Sequence, residues 1–574
     1  MKYHYSAERN VQMVLFLLKT YNIKKVIASP GATNVSIVAS MQQDPYFEMY
    51  SCVDERSAGY MAVGMAEESG EPVVLSCTGA TSARNYMPAL TEAFYRKLPI
   101  IAITSTQDAT HVGHLIAQVT DRSKQPNDLV VESVYIQNIR SAKDEWDCTI
   151  KLNRALQSIR PISGPVHINL ATGMGGGYDV ITLPPTKVIK KFLLNDTLPE
   201  ISLKGHIAIF VGSHAKFTEE ETNLIDEFCS IYNSVVFCDH TSSYRGKYRV
   251  MYSLMGAQDN CNYDIGNLDL LIHIGEVSGD YDTLRKLIVK RVWRVNPDGK
   301  FRDTFMGKLE NVFEMSELSF FEKYAKGKSC QNHLYLDECA QIHRRLTERI
   351  SDLPFSNIYI ANRLSRLIPG NSILYLGILN TLRSWNYFET PVNVHTVCNV
   401  GGFGIDGIAS SLVGASICHP NKLHFGILGD LSFFYDMNSI GNRQIGNNLR
   451  ILIINNGHGQ EFEMYNHGAA FLGEEVNKFV AAEGHYGFKS KNLVKHFAED
   501  LGFEYITAST CEEFESHVEV FCSSNKYIKP IVFEVFTNKI DENEALRVIR
   551  NIEEDKMKTI KDNTRKILKH ILKK

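Results

Sequence analysis

Two stretches in the C-terminal part of this 574-residue chain have residue types and spacings that could bind a phosphorylated cofactor. In the first, NVGGFGIDGIASS, the residues Gly402, Gly404 and Gly407 have the spacing of a dinucleotide-binding turn. This turn follows a β-rich segment and precedes an Ala/Ser/Leu segment that is typical of a helix. Asp430 then ends a predicted strand, where NAD-binding folds carry the acid that binds the ribose. The spacing therefore permits an NAD(P)-dependent dehydrogenase.

The same region also permits a metal–diphosphate site. Asp430 and Asn456 follow two successive predicted strands, and parallel strands end side by side at one edge of a sheet. One carboxylate, one amide and the main-chain carbonyl of His458 would form a magnesium pattern with positions left for phosphate. Helix N-termini at this edge would supply N–H groups to a diphosphate. A Gly-Asp turn or an Asn-Asn pair by itself is usually ordinary turn chemistry. The presence of both, at successive strand ends, favours a ligand-binding site.

Short β-rich segments alternate with helical segments along the chain, and this alternation predicts parallel α/β sheets. Gly- and Pro-bearing or Lys-rich passages separate three such units. We predict domains over residues 1–180, 200–335 and 350–545, and a basic helix over 546–574. The middle domain lacks a full glycine fingerprint, which indicates a spacer. The basic helix is typical of a solvated terminus, with a membrane-surface or acidic-partner role as the alternative.

Composition excludes several function classes. The net charge of −4 gives no basic field for nucleic acid, and 44% hydrophobic and 22% charged residues are ordinary for a globular protein. The apolar segment VQMVLFLL is too short to span a bilayer and suits a buried helix face. Twelve scattered cysteines without a Cys-x-x-Cys pair indicate reduced thiols. We therefore expect a cytoplasmic protein with no membrane span.

Gly429-Asp430 followed by Asn456 in INNGHG resembles the magnesium–diphosphate signature of thiamine diphosphate (ThDP) enzymes, with Leu431 where that signature usually has glycine. The N-terminal stretch from VDERSAGYMAVGMAEESG to KLPIIAIT resembles their pyrimidine-binding domain. This resemblance implies an α/β fold of three Rossmann-like parallel-sheet domains: pyrimidine-binding, central spacer and diphosphate-binding. It also implies ThDP and Mg²⁺ as cofactors, and a homodimer or dimer of dimers in which the cofactor lies between subunits.

The resemblance assigns roles to individual residues. Glu55 would hydrogen-bond the aminopyrimidine ring and activate the cofactor, although an acid in a first helical turn is also common on surfaces. The helix after Glu55 has apolar residues at Ala58, Met61, Ala62 and Met65, a spacing that predicts one buried face. The cofactor-binding residues it implies in the C-terminal part are Gly402, Gly404, Ile405, Gly429, Asp430, Leu431, Ser432, Asn456, His458 and Gly459, with Ile405 as the apolar residue that bends the cofactor.

Within this superfamily, NVGGFGIDG, GDLSFFYDMNSI and DERSAGYMAVGMA are similar to the SEPHCHC synthases of the menaquinone pathway, which decarboxylate 2-oxoglutarate and add the fragment to isochorismate. Those enzymes bind their acids through arginines. Here Thr33, Gln107 and Val400 stand at three arginine positions, and Arg383 is kept. Because bidentate carboxylate partners are lost, we expect a different substrate.

Five further residues complete the predicted site. Gln118 matches a pocket glutamine, and His111 and His114 lie in a predicted mobile loop where either could assist proton transfer or be merely solvated. Glu461 stands where the synthases have an aliphatic residue, and it is followed by Phe462, a predicted substrate contact. We expect partial burial to raise the pKa of Glu461. Glu461 would then donate a proton to the carbonyl oxygen, or to the enamine carbon after decarboxylation. A solvent-facing acid in a short helix is the alternative.

The function predicted from the sequence is ThDP- and Mg²⁺-dependent decarboxylation of a 2-oxo acid, followed by protonation of the fragment or its ligation to an acceptor carbonyl. This is lyase or transferase chemistry of the kind found in acetolactate synthase-like enzymes. The alternatives are a SEPHCHC or acetolactate synthase proper, the NAD(P)-dependent dehydrogenase, and a non-catalytic scaffold. The retained Glu55, Asp430 and Asn456 oppose the last of these. The sequence leaves the donor acid and the acceptor open.

Overall fold

A computed structural model describes residues 4–159, 163–173, 177–328, 332–524 and 528–553. The α-helices of this part are α1 (Arg9–Thr20), α2 (Val35–Gln43), α3 (Glu55–Ser69), α4 (Thr81–Asn85), α5 (Met87–Arg96), α6 (Ala142–Gln157), α7 (Glu219–Tyr232), α8 (Ser253–Ala257), α9 (Tyr281–Lys286), α10 (Glu317–Ala325), α11 (Leu334–Glu348), α12 (Asn357–Leu364), α13 (Asn380–Trp385), α14 (Ile408–Cys418), α15 (Asp430–Asp436), α16 (Leu493–Asp500), α17 (Cys511–Cys522) and α18 (Lys539–Arg550).

The strands of the same part are β1 (Lys25–Ala28), β2 (Glu48–Ser51), β3 (Val73–Cys77), β4 (Ile100–Thr106), β5 (Glu132–Ile136), β6 (Val166–Ala171), β7 (Lys190–Leu193), β8 (His206–Val211), β9 (Ser234–Cys238), β10 (Arg249–Met251), β11 (Asn267–Ile274), β12 (Ile288–Val289), β13 (Val292–Asn296), β14 (Leu309–Glu314), β15 (Ile373–Leu376), β16 (His395–Val397), β17 (His424–Gly429), β18 (Leu449–Asn455), β19 (Glu504–Ala508) and β20 (Ile531–Phe536). Short 3-10 helices include Ala109–His111, Gln460–Glu463 and Gly468–Lys478.

The chain divides into two compact units, one of residues 1–197 and 298–314 and one of residues 198–297 and 315 onward. The first unit contains a parallel sheet in the order β2-β1-β3-β4-β6-β5. Its central strands β3 and β4 are buried along their whole length, as their continuous apolar sequences require in a sheet covered on both faces. Strands β7 and β14 of this unit also pair in parallel.

The second unit contains two parallel arrays of strands. The order β10-β9-β8-β11-β13, with β12 beside β11, forms the first, and the order β16-β15-β17-β18-β20-β19 forms the second. All strand pairs of the second array are parallel. Three parallel sheets with flanking helices confirm the predicted α/β class, while the predicted domain limits stay predictions.

The structure differs from the local sequence pattern in two helical segments. The segment ARNYMPALTEAFYR, which has the pattern of one helix, forms α4 and α5, separated at Tyr86. Pro88 lies in the first turn of α5, where its missing N–H costs nothing, but it could not continue α4. The buried face of α3 contains Ala58 and Ala62 as predicted, whereas Met61 is 38% exposed. Residues such as Val63 take its place in the core.

Every cysteine that the structure describes is a free thiol. Helix α18 extends from Lys539 to Arg550. The first residues of the predicted basic helix, from position 546, therefore form the end of α18. The remainder of that prediction, from residue 554, lies outside the described residues. Among the helices of the described part, none combines the length and the apolar character needed to cross a membrane.

Candidate active site

The two strand ends singled out by the sequence lie side by side. Strands β17 and β18 pair in parallel register with Gly429 opposite Ile454, so the residues after them share one edge of the sheet. Asp430 is the first residue of α15, and its Oδ2 accepts a 2.9 Å hydrogen bond from the main-chain N–H of Gly457. Asn456 lies directly before this turn. The predicted convergence of Asp430 and the Asn456 turn is therefore present.

Asp430 is a buried carboxylate that has no counter-charge in the part of the chain that the structure describes. Its side chain is 4% exposed, and within the described residues Asp430 has no Lys, Arg or His nitrogen within 4.0 Å. Burial raises the pKa of this carboxyl to about 7, although N–H groups of Leu431 and Gly457 donate to it and oppose the shift. An uncompensated buried carboxylate is costly, and a bound cation would remove that cost.

Two oxygens beside Asp430 could complete a cation site. The Asn456 Oδ1 accepts from the His458 N–H at 3.3 Å, and the main-chain carbonyl of His458 accepts from Gln460 at 3.0 Å, so each oxygen retains a lone pair. The His458 ring is held away by its own contacts, 2.8 Å to Gln460 and 3.0 Å to Glu463. One carboxylate, one amide and one carbonyl fit a hard divalent cation.

The glycine turn is tied to this edge. Gly407 caps α14 with φ +77°, a left-handed conformation that glycine adopts without strain. The Ser432 hydroxyl donates a 2.5 Å hydrogen bond to the carbonyl of Ile405, which joins the turn to α15. The Asp436 carboxylate accepts from the N–H of Ser410 at 2.6 Å and binds α14 to α15 a second time.

Sheet topology does not support the NAD(P) interpretation of this turn. In that fold, the strand before the glycine turn pairs with the strand that carries the acid. Here β16 precedes the turn and β17 carries Asp430, but β15 lies between them in the sheet. The glycine turn is therefore placed two strands from the acid.

Most of the predicted residues of this unit line one cleft. The predicted residues along its wall are Ile405, Gly429, Asp430, Leu431, Ser432, Asn456, His458, Gly459, Glu461 and Phe462. Gly402 and Gly404 lie on the same loop as Ile405 but outside this wall. The cleft is open at the carboxyl ends of parallel strands, which is the usual ligand position in such sheets.

Sequence reasoning missed one wall of the cleft. It is formed by the loop after β15, including Leu379, Asn380 and Thr381. Leu379 has φ +66°, an uncommon conformation for a non-glycine residue. Strand β15 pairs with β17, so its end had to lie beside Asp430. The segment directly after β15, GILN, has no charged residue and only one glycine, so no local pattern indicates a site at this strand end.

Glu461 and Arg383 form a bidentate ion pair. The Arg383 Nη1 and Nη2 atoms lie 3.0 and 2.9 Å from the two Glu461 carboxylate oxygens. Both side chains are about one-fifth exposed, at 20% and 19%. The role of Glu461 as proton donor stays a prediction, and it requires this ion pair to open.

Glu55 is the first residue of α3, directly after Asp54, which caps the helix by accepting from the Ser57 N–H. The Asn85 side chain donates to Glu55 at 3.1 Å. Burial raises the pKa of Glu55, but hydrogen bonds from Ser82 and Asn85 outweigh it, and the pKa lies below its ordinary value. Glu55 is thus a half-buried, ionised acceptor, as activation of a ring would require.

The other predicted site residues of the first unit differ in burial and in hydrogen bonding. Thr33 is buried, and its hydroxyl donates to Thr78 at 2.7 Å. The Gln107 side-chain oxygen lies 3.1 Å from the His111 ring. Gln118 is exposed and has φ +64°, and His114 is also exposed. The structure joins Gln107 to His111 and leaves Gln118 and His114 open to solvent.

Comparisons with known proteins bear on both units. A family model described as "Thiamine pyrophosphate enzyme, N-terminal TPP binding domain" matches residues 9–126. Similar curated relatives are named 2-succinyl-5-enolpyruvyl-6-hydroxy-3-cyclohexene-1-carboxylate synthase, the full form of SEPHCHC synthase. The relative from Bacteroides fragilis is 28% identical over 95% of this chain and 99% of its own. The relative from Phocaeicola vulgatus is 28% identical over 95% and 98%, and that from Flavobacterium johnsoniae is 26% identical over 93% and 97%.

The matched N-terminal domain contains Glu55, and the full-length relatives extend the similarity across the second unit with Asp430 and Asn456. The three parallel sheets agree with that similarity, and so does the buried Asp430 carboxylate, which has no cationic partner among the described residues. The chain is therefore similar to thiamine pyrophosphate enzymes in its N-terminal domain, over residues 9–126, and to SEPHCHC synthases over nearly its whole length.

Proposed function

We propose that this protein decarboxylates a 2-oxo acid with ThDP and Mg²⁺, and then protonates the fragment or ligates it to an acceptor carbonyl. The observation that carries the proposal is the buried Asp430 carboxylate. It has no cationic partner among the described residues, accepts from the Gly457 N–H at 2.9 Å, and lies beside Asn456. A Mg²⁺ ion bound to a diphosphate is the partner that this arrangement suits.

In this proposal, Asp430, Asn456 and the His458 carbonyl hold Mg²⁺. The loop with Gly402, Gly404 and Ile405 and the start of α15, with Leu431 and Ser432, would surround the diphosphate end of the cofactor. Gly429 and Gly459 lie in the cleft wall without side chains that would obstruct it. When bound, ThDP supplies an acceptor for the electron pair left by decarboxylation.

Glu55 would hold the pyrimidine ring in the first unit. Its ionised carboxylate, oriented by Asn85, can accept a hydrogen bond from a protonated ring nitrogen. Removing this acceptor should slow deprotonation of the cofactor rather than its binding. Gln118 and His114 are the proposed polar contacts of the substrate in that unit, with His111 as the alternative proton donor.

The donor acid is inferred from uncharged residues at positions where arginine is expected. Thr33 and Gln107 stand in the first unit, and Val400 in the second, where the SEPHCHC synthases are expected to carry arginine. Arg383 is paired with Glu461. We therefore include in the proposal a donor other than 2-oxoglutarate, with Phe462 as an apolar wall of its pocket.

A homodimer or dimer of dimers in the cytoplasm belongs to the same proposal. Large apolar side chains are exposed in each unit, and burial of such side chains would favour association with a second copy. They include Val53 at 75% and Leu115 at 101% in the first unit, and Phe471 at 84% and Phe479 at 90% in the second.

SEPHCHC synthase activity is the second candidate. The full-length similarity to proteins of that name favours it, and the residue types at Thr33, Gln107 and Val400 oppose it. Incubation with isochorismate and 2-oxoglutarate separates the two candidates. Turnover at a rate of order 1 s⁻¹ or faster, ordinary for an enzyme on its own substrate, would establish the second candidate.

The cofactor is tested first. The purified protein is denatured, its extract is oxidised, and thiochrome fluorescence is measured beside nicotinamide absorbance. We expect thiochrome, or stoichiometric uptake of added ThDP in the presence of Mg²⁺. Nicotinamide in the extract, with no ThDP uptake, would contradict the proposal.

A further inference from the structure

Arg383 follows the cleft-lining residues Asn380 and Thr381 and could receive a substrate carboxylate, but it is already paired with Glu461. Both of its terminal nitrogens bind the two oxygens of Glu461, at 2.9 and 3.0 Å. Nη1 also lies 3.4 Å from the Asn380 side-chain oxygen. A guanidinium bound in this forked manner still has N–H donors on Nε and Nη2, but its positive charge is already neutralised by the Glu461 carboxylate.

The position of the pair links it to the site. Glu461 lines the same cleft as Asp430 and Asn456, and it follows them in the 3-10 helix Gln460–Glu463. Arg383 lies on α13, whose first residues Asn380 and Thr381 also line this cleft. The ion pair therefore joins α13 to the 3-10 helix that carries Glu461.

Burial makes the pair hard to open. The Arg383 and Glu461 side chains are about one-fifth exposed, so neither charge is well hydrated. An incoming anion that took Arg383 would leave Glu461 as a half-buried carboxylate without its cation, which is strongly unfavourable. An anion that did not displace Glu461 would instead lie beside a like charge.

We propose that Glu461 sets the charge selectivity of this enzyme. By neutralising Arg383, it makes the pocket accept a 2-oxo acid with an uncharged side chain and reject one with a second carboxylate. This inference rests on the proposed function, and it names the substrate class of that site. Glu461 acts through Arg383, so it is a positioning residue and not the proton donor in this account.

The test compares two five-carbon donors that differ in one carboxylate, 2-oxopentanoate and 2-oxoglutarate. The parent should prefer 2-oxopentanoate in kcat/KM. Glu461→Gln frees the charge of Arg383, and the ratio of the two kcat/KM values should move toward 2-oxoglutarate by about 10- to 100-fold, the effect of one hydrogen bond to a charged group. Glu461→Leu should move it in the same direction if the Gln variant does not fold.

Two controls isolate the ion pair. Glu461→Gln combined with Arg383→Gln removes the freed cation, so the gain for 2-oxoglutarate should disappear. Glu475→Gln changes an exposed acid of the neighbouring segment that pairs with Lys478, and it should leave the ratio unchanged. A ratio that does not move in Glu461→Gln, or that moves equally in the double variant, would overturn the inference.

A binding measurement keeps this test separate from the proposed function. Thermal unfolding is followed with glutarate or pentanoate, which cannot be decarboxylated. Glutarate should stabilise Glu461→Gln, and it should not stabilise the parent or the double variant. If the parent releases no CO2 from any donor, the proposed function fails, but the binding measurement still tests the charge selectivity. Equal stabilisation of parent and variant by glutarate would overturn the inference that Glu461 sets this selectivity.

Discussion

Among single residues, Asp430 has the clearest proposed role, because its buried carboxylate has no cationic partner within the described residues and would gain one from a bound metal. Asp430→Ala should abolish the stabilisation that ThDP and Mg²⁺ together give against heat, since ligand linkage disappears with the site. Thermal unfolding with and without both ligands measures this. Asp500→Asn, which changes an exposed acid of the same unit, should keep the full shift. A full shift in Asp430→Ala would remove Asp430 from the metal site.

The same residue gives a pH prediction for the metal-free protein. Burial raises the folded pKa of Asp430 to about 7, above the ordinary 3.8, so folding favours its protonated form. Its contribution to stability is therefore fully present below 3.8 and is lost as the pH rises through about 7. At pH values above this raised pKa, Asp430→Asn removes an unfavourable contribution to the folding free energy of at most about 4 kcal/mol.

The metal-free Asn variant should accordingly unfold at a higher temperature than the metal-free parent at about pH 8, and at a similar temperature at about pH 4. Calorimetry in chelator measures both. If the parent were the more stable protein at the alkaline pH, the burial of an uncompensated charge at Asp430 would be refuted.

Glu55 supports a prediction about rate rather than stability. Glu55→Gln should keep the fold and much of the ThDP affinity, because the amide can still accept from Asn85. It should slow exchange of the cofactor C2 proton by about 10²–10⁴-fold, the usual cost of losing a proton relay. Exchange is followed by NMR after acid quench. Glu68→Gln, an exposed acid on the same helix, is the control, and parental exchange in Glu55→Gln would exclude Glu55 from activation.

At the scale of elements, α14 depends on one backbone conformation. Gly407 caps this helix with φ +77°, and a Cβ there would meet only Asn399 at 3.9 Å, so strain and not space limits substitution. Gly407→Ala should cost about 1 kcal/mol of folding free energy. Gly414→Ala, inside the same helix with open space around it, should instead stabilise by about 0.5–1 kcal/mol. Denaturant unfolding compares them, and equal effects would refute the argument.

The elements also show how far the sequence predicts this site. The ends of β17 and β18 were predicted because each carries a polar residue after a continuous apolar strand. The wall after β15 was missed because LGILN has no such residue at the strand end. The pairing of Arg383 with Glu461, which are separated by 78 residues, depends on packing between α13 and the segment after β18. No local pattern contains that information.

At the scale of the whole molecule, the exposed face of α3 predicts self-association. Tyr60 and Met61 are 49% and 38% exposed beside Glu55, on a helix whose opposite face is packed. Tyr60→Asp should shift the protein from dimer toward monomer and weaken ThDP binding, because the proposed site needs two subunits. Glu68→Lys on the same helix should do neither. Sedimentation velocity measures the mass, and a monomeric parent would contradict the assembly.

The central claim is that this chain decarboxylates a 2-oxo acid only when ThDP and Mg²⁺ are bound. Release of CO2 is measured with a panel of 2-oxo acids, with and without the two cofactors, for the parent and for Asp430→Ala. We expect CO2 release from at least one donor with an uncharged side chain, and this release should depend on both cofactors and be lost in Asp430→Ala. Decarboxylation that persists without ThDP, or that survives Asp430→Ala unchanged, would contradict it.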